Sequence, residues 1–359
     1  MKHVSRKVVA VGLVAAVAVL AVAVAVATAG TAKKSAAIQA CGLMPDTKTS
    51  VRWEQFDKPY LLKAFKAAGI PARVVNAQND PQKQKSQADQ CIADGAKVLI
   101  IAPINSGSAA AIEKAALAKG VKSIDYDRQV EGGVASLYTS FDGGRVGVIQ
   151  ANHVILGLKK AGLYSKHPVV ASVWGGQEDA NTFLFKGGVD KVLNPLYANG
   201  TLKKGPQQFT PGWDNQKAGT IFEQMLVKTG NNIQGVAAAN DGLANAVVVA
   251  LKAHKLKPIA LSGQDATSQG VQNIISGWQT GTIWKDVRIL ATKTAQAAVR
   301  LIKGQKPPTT GLVTTKGRPK EPAYLIPPQP ITKANWKQLI TSGWFKRSEI
   351  CNGEFKKFC

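Results

Sequence analysis

Ser123-Ile-Asp-Tyr-Asp-Arg128 is the stretch that decides the fold of this chain. It closes a strand beginning near Val121 and ends on an acid and a base, Asp127 and Arg128. Ahead of it, Lys97 to Ala102 reads as another strand, nearly all apolar, as befits a parallel strand covered on both faces. Pro103 and a helix from about Ser108 to Lys119 connect the two. Strand, helix and strand in that order form a parallel βαβ unit, and open parallel sheets bind ligands beyond the carboxyl ends of their strands. A charged pair at that edge is placed to meet a ligand; the alternative is a surface ion pair of little energetic weight.

The same alternation runs in both directions. Ile38 to Met44 reads as a short buried strand, followed by a polar loop carrying Lys48, Arg52 and Trp53. A helix then runs to Ala68, with Pro59 tolerated only in its first turn. Pro71 to Ala77 is a strand, Gln82 to Gly95 its helix, and Tyr138 to Asp142 a fifth strand. The pattern repeats over roughly 143 to 264, with strands at 167–174, 207–210, 233–239 and 258–263. Thr282 to Trp284, a helix from Asp286 to Lys303, a strand at Ala323 to Ile326 and a helix near Lys333 to Ser342 complete the reading. The fold class is α/β, with two doubly wound parallel-sheet, Rossmann-like lobes.

At 359 residues the chain has room for two domains with proper cores. Lys2, Arg6 and Lys7 precede an uncharged run from Val8 to Ala32 that offers signal-peptidase sites near Ala29 to Ala32. Residues 1–32 therefore read as a signal peptide and the protein as exported, periplasmic or at the cell surface; an uncleaved anchor is the alternative. Export makes the four cysteines candidates for disulfides. Cys351 and Cys359 bracket a polar tail, a short loop whose closure removes about 2.5 kcal/mol of unfolded-chain entropy. Cys41 and Cys91 are left for each other, and a lipidated Cys41 is disfavoured by the poor lipobox Ile38-Gln39-Ala40. The net charge of +24 loses only three units with the leader. The lysines are scattered without an Arg-rich block or aromatic interleaving, which reads as a solvated basic surface and not as a nucleic-acid site.

Polar residues collect at the strand ends: Arg52 and Trp53, Asp127 and Arg128, Asp179 and Asn181, Trp213, Asn240 and Asp241, Gln264 and Asp265, and Lys285. Such a set suits a sugar. Each hydroxyl both donates and accepts, charge-assisted bonds are the stronger ones, and the C–H face of a pyranose packs on an aromatic ring. Catalytic readings fare worse. His153, His167 and His254 fall on helices or before a strand's apolar core and read as surface or capping residues. Asp127, Asp179 and Asp265 could supply a glycosidase pair, but nothing marks one as a raised-pKa acid. No His/Cys spacing suits a metal, and no cofactor is implied.

These residues carry a family likeness. Arg52-Trp53, Tyr126-Asp127-Arg128, Ser140-Phe141-Asp142, Asp179 with Asn181, Gly212-Trp213, Ala239-Asn240-Asp241 and Ser262-Gly263-Gln264-Asp265 occur in order over about residues 40 to 345. Through them the chain resembles the periplasmic sugar-binding proteins of ABC importers, of type I fold. The resemblance implies two lobes joined by a three-segment hinge, with crossings near Asp142, Asp265 and the 311–325 region. It places 36–142 and 266–311 in the first lobe, 143–265 and 312–345 in the second, and leaves 346–359 as a disulfide-bracketed tail. It implies a xylose-like monosaccharide held by Arg52, Trp53, Asp127, Arg128, Asp179, Asn181, Trp213, Asn240, Asp265 and Lys285, with Trp213 stacking on the ring. The implied partners are this sugar and an ABC permease in the membrane, the protein itself a monomer and not an enzyme. A sugar-sensing subunit for a chemoreceptor or membrane kinase is the alternative. A LacI-like effector domain shares the fold, but an export leader stands where its helix-turn-helix would be. The segments around Gly132 to Ala135 and Leu163 to His167, the cysteine-bracketed tail and the basic surface depart from the family pattern.

Overall fold

The computed structural model describes residues 37–47 and 51–359, so the expected signal peptide lies outside the described residues. The first sheet takes β1 (Ala40–Met44), β2 (Ala72–Asn76), β3 (Val98–Ile101), β4 (Lys122–Tyr126) and β5 (Leu137–Phe141), with β1 central between β2 and β3. All pair in parallel, so their carboxyl ends share one edge. The helices between them are α1 (Lys58–Ala67), α2 (Pro81–Ala93) and α3 (Ser106–Ala118). Asp80 shows why they begin where they do: its carboxylate accepts from the N–H groups of Gln82 and Lys83, and Pro81 needs no partner there.

The chain enters the second lobe through α4 (Gly143–Lys160), capped by Asp142. A parallel sheet in the order β7-β6-β8-β9 follows, from β6 (Val169–Trp174), β7 (Lys203–Phe209), β8 (Gly235–Ala238) and β9 (Ala260–Leu261). Its connecting helices are α5 (Ala180–Ala198), α6 (Asn215–Thr229) and α7 (Asp241–Ala253). Close approach of α4 and α5 depends on glycine. A Cβ on Gly147 would lie 2.0 Å from the Phe185 carbonyl oxygen, and one on Gly188 2.1 Å from that of Gly144.

Beyond Asp265 the structure departs from the reading of the sequence. After α8 (Ser268–Ser276), β10 (Gly281–Trp284) is bridged to β9 through Ser262 and Gly281, and Ile283 packs in the second lobe's core. The return to the first lobe therefore falls at 285–287, where Asp286 caps α9 (Val287–Ile302), and not at Asp265. Residues 312–326, expected in the second lobe, belong instead to the first. β11 (Gly311–Thr315) and β12 (Arg318–Ile326) make an antiparallel hairpin, and β12 pairs in parallel with β5, extending the first sheet to seven strands. β13 (Gln329–Thr332) then pairs with β10. Ile326 joins the first lobe's core, while Ile331, Trp336, Leu339, Trp344 and Phe345 share that cluster with Ala266, Val271 and Ile275 of the α8 segment, and Trp344 Nε1 donates to the Ala266 carbonyl (3.2 Å). The physical reason is an edge: β5 has a free side that the apolar half of β12 covers.

Both disulfides are formed, Cys41–Cys91 tying β1 to α2 and Cys351–Cys359 closing the tail. The tail rests on α8, where Gln272 Nε2 donates to the Ile350 carbonyl (3.1 Å).

The hairpin covers a buried acidic group. Glu321 pairs with Arg318 (3.0 Å) and accepts from Thr315 Oγ1 (2.6 Å), while Asp125 and Glu113, also fully buried, lie beneath it. Burial, then the hydrogen-bonded Glu113 and the charge of Glu321, push the Asp125 carboxyl well above its ordinary value. The folded state thus keeps a proton that the unfolded chain releases. The associated stability is present below the ordinary aspartate range and is lost as pH rises through the folded value. Asp125→Asn preserves the neutral form without titrating. Its melting temperature relative to the parent protein is therefore expected to rise as pH is raised above the ordinary aspartate range. A difference that does not change with pH would refute the raised Asp125 carboxyl.

Candidate functional site

Asp127 leaves β4 with φ at 66°, a left-handed conformation that costs a residue bearing a Cβ about 1–2 kcal/mol. Its backbone is held from both lobes. Its carbonyl accepts from Ser140 Oγ (2.7 Å), Asn181 Nδ2 (2.9 Å) and Tyr138 Oη (3.2 Å), and its N–H donates to the Thr139 carbonyl (2.8 Å). The turn aims the carboxylate at Arg52, whose Nη2 stands 2.8 Å from Asp127 Oδ1.

Arg52 precedes a π-helical turn, Trp53–Asp57, which brings Asp57 back onto the guanidinium at 2.9 and 3.0 Å. Tyr126 donates to the same carboxylate at 2.6 Å. Burial opposes charge at all three groups. It wins at Asp57, whose carboxyl is raised despite Arg52. It loses at Asp127, where Arg52, Lys285 and Arg128 together hold the carboxyl below its ordinary value. Asp127 is thus an ionised acceptor at neutral pH.

The second lobe contributes residues that cap helices and face the cleft together. Asp179 caps α5 by accepting from the Asn181 N–H (2.9 Å) with Oδ1, while Oδ2 meets Arg128 Nε across the cleft at 3.0 Å. Burial raises the Asp179 carboxyl in spite of that pair. Arg128 is further fixed by donating to the Pro103 carbonyl (3.0 Å). Asn240 caps α7 through the Leu243 N–H (2.8 Å). Asp265, with φ at 93°, pairs with Lys285 at 2.9 Å as the chain leaves β10.

Two flat rings wall the site. Trp213 ends a tight turn, Pro211–Trp213, and its indole lies directly on Gly175, where an added Cβ would come within 2.2 Å of Cζ2. Phe185 meets it edge-on at 6.4 Å. Trp53 lies under two guanidiniums, those of Arg52 (4.5 Å) and Arg128 (5.4 Å).

All ten residues singled out in the sequence line one cavity with about 330 Å³ of atom-free space. Phe185 and Gln264 line it as well. Gln264 stands at a strand end, where its signal was visible. Phe185 reads in sequence as an ordinary apolar residue of a helix, and only the packing of α5 turns it to the cleft. Asp241, another strand-end acid, points away from the cavity. It accepts from the Thr267 N–H (2.9 Å), Thr282 Oγ1 (2.9 Å) and Gln279 Nε2 (2.8 Å). Burial, helped by the charge of Asp265, pushes it up to about 7 despite these bonds.

His153 is a correction. It is buried against Gly281, not a surface or capping residue, and burial, with Lys160 nearby, lowers its pKa to about 4. Among the described residues no group of three His, Cys, Asp or Glu could hold a metal, and no helix is long and apolar enough to cross a membrane. The cavity therefore presents ionised and amide acceptors, fixed cationic donors and aromatic faces, the complement of a small polyhydroxylated ring.

The periplasmic binding protein domain family matches residues 41–306. The D-xylose-binding periplasmic protein of Escherichia coli is 32% identical over 311 residues, covering 86% of this chain and 92% of that protein. A multiple sugar-binding periplasmic receptor of Rhizobium radiobacter is 33% identical over 330 residues, covering 86% and 91%. Among solved structures, an ABC transporter solute-binding protein of Clostridium phytofermentans with bound β-D-glucose superimposes with a TM-score of 0.79 at 27% identity, covering 87% of this chain and 99% of that one. These relatives are sugar-binding proteins and not enzymes. With its fold and the matching family spanning most of its length, the chain belongs to the periplasmic sugar-binding proteins of type I fold.

Proposed function

We propose that the cavity binds one monosaccharide, xylose-like in its preference, and that the two lobes close on it about the hinge. The observation that carries this reading is the pairing across the cleft. Arg128 from the first lobe meets Asp179 from the second, and Asn181 donates to the Asp127 carbonyl. A polyol seated among these groups gains contacts from both lobes only when they are together, so binding favours closure. The protein would act after export, as a monomer, presenting the closed form to an ABC permease. The D-xylose-binding relatives support the pentose reading. The multiple-sugar receptor and the glucose-bound structure support a second, broader one that admits hexoses.

Isothermal titration of the mature protein with D-xylose and a panel of aldoses is the direct check. Binding of xylose at micromolar concentration or below is expected. Asp265→Ala should weaken it about 10- to 100-fold by removing a charged acceptor. Trp213→Ala should weaken it about 10-fold through lost ring packing. Unchanged affinity in both variants would overturn the site, and a preference for glucose over xylose would favour the broader reading.

Small-angle scattering checks closure. Sugar should reduce the radius of gyration of the parent protein. Asp179→Ala, which leaves Arg128 without its partner across the cleft, should need more sugar to reach the same compact state.

A further inference from the structure

The second lobe's four parallel strands all begin at the pole opposite the cleft, where Val169, Lys203, Gly235 and Ala260 stand near one another in register. The connections arriving there carry Lys159, Lys160, Lys166, Lys203, Lys204, Lys228, Lys252, Lys255 and Lys257, every one exposed. Segments 159–169, 199–206, 228–235 and 252–260 contain no aspartate or glutamate. The carboxylates of the neighbouring helices, Asp190 and Glu223, lie roughly two turns back toward the cleft. Asp190 is already engaged by Lys186. A scattered basic surface would interleave both signs; this pole does not.

The pole is also furrowed. One hollow, with about 540 Å³ of atom-free space, is lined by Lys166, His167, Lys203, Asn232 and Gln234 among others. A second, with about 860 Å³, is lined by Lys160 and Lys333 together with apolar residues such as Ile259 and Ile274. The two share Leu163 and Gln234 and so adjoin. Cations line both of these adjoining hollows, which matches negative charges repeated along a chain.

We propose that this pole binds a linear polymer bearing repeated phosphate groups, at a site separate from the sugar cleft. A chain laid in the furrow meets cations along its length and releases the counterions condensed on it. A flat bilayer would meet only the rim. The pole offers it two exposed apolar side chains, Val227 and Val249, and no exposed aromatic to insert, whereas interfacial binding relies on such groups.

The test uses the mature protein and inorganic polyphosphate, followed by fluorescence anisotropy at increasing salt. Affinity is expected to fall with salt, with a log–log slope of about −3 if the four furrow lysines 160, 166, 203 and 333 are engaged. The double charge reversal Lys166→Glu/Lys203→Glu should weaken binding at least about 10-fold and flatten the slope by one unit or more. The matched reversal Lys63→Glu/Lys66→Glu, on α1 of the first lobe, should leave it within about twofold if local charge and not net charge decides. Sugar titration of both variants should match the parent protein, which separates this site from the cleft. Equal loss in the two variants, full competition by equimolar orthophosphate, or preference for vesicles of anionic phospholipid over polyphosphate would each overturn the proposal.

Discussion

The cleft depends on keeping Asp127 charged where burial works against it. Removing a carboxylate from water costs several kcal/mol unless its partners are close and well oriented. Here Arg52 is itself locked by Asp57, which Tyr126 steadies in turn, so the cation facing Asp127 cannot swing away. The left-handed turn at Asp127 belongs to the same arrangement. Its carbonyl is satisfied by Tyr138, Ser140 and Asn181, and the carboxylate direction follows from that backbone. Asp179, with Arg128 as its one cationic partner, is less well compensated, and its carboxyl is raised.

An economy of parts follows from the parallel sheets. Each strand of the second lobe runs into a helix whose first N–H groups need acceptors, and Asp179 and Asn240 supply them while facing the cavity. Binding side chains are thereby fixed by secondary structure itself, with little rotamer freedom left to lose. The rings are fixed differently. Trp213 can lie where it does because residue 175 has no side chain, and Trp53 is held by two stacked guanidiniums.

Most of the strands and the polar residues at their ends could be read in the sequence, and the family resemblance picked from those ends the ten that line the cavity. Parallel strands covered on both sides write themselves as short apolar runs, and in such folds the ligand site lies at their carboxyl ends. What could not be read involves partners distant in sequence. The apolar half of β12 reads as a strand, but its place beside β5 depends on pairing with residues about 185 positions earlier. His153 reads as a helix-face residue and is buried because Gly281 packs on it. The lysines of the second pole look scattered along the chain and gather only where four strands start together.

The sequence by itself determined the α/β class, the two-lobed plan and the chemistry at the strand ends, because periodicity and residue type are local properties. Tertiary structure alone decided where the chain returns to the first lobe, where residues 312–326 lie, and what occupies the strand-end acid Asp241 in place of the cavity. Asp265 turns inward to Lys285, while Asp241 turns inward to Thr267, Gln279 and Thr282 and so away from the ligand space. Those outcomes depend on which buried polar group finds its partner, and the partners come from segments that no local pattern connects.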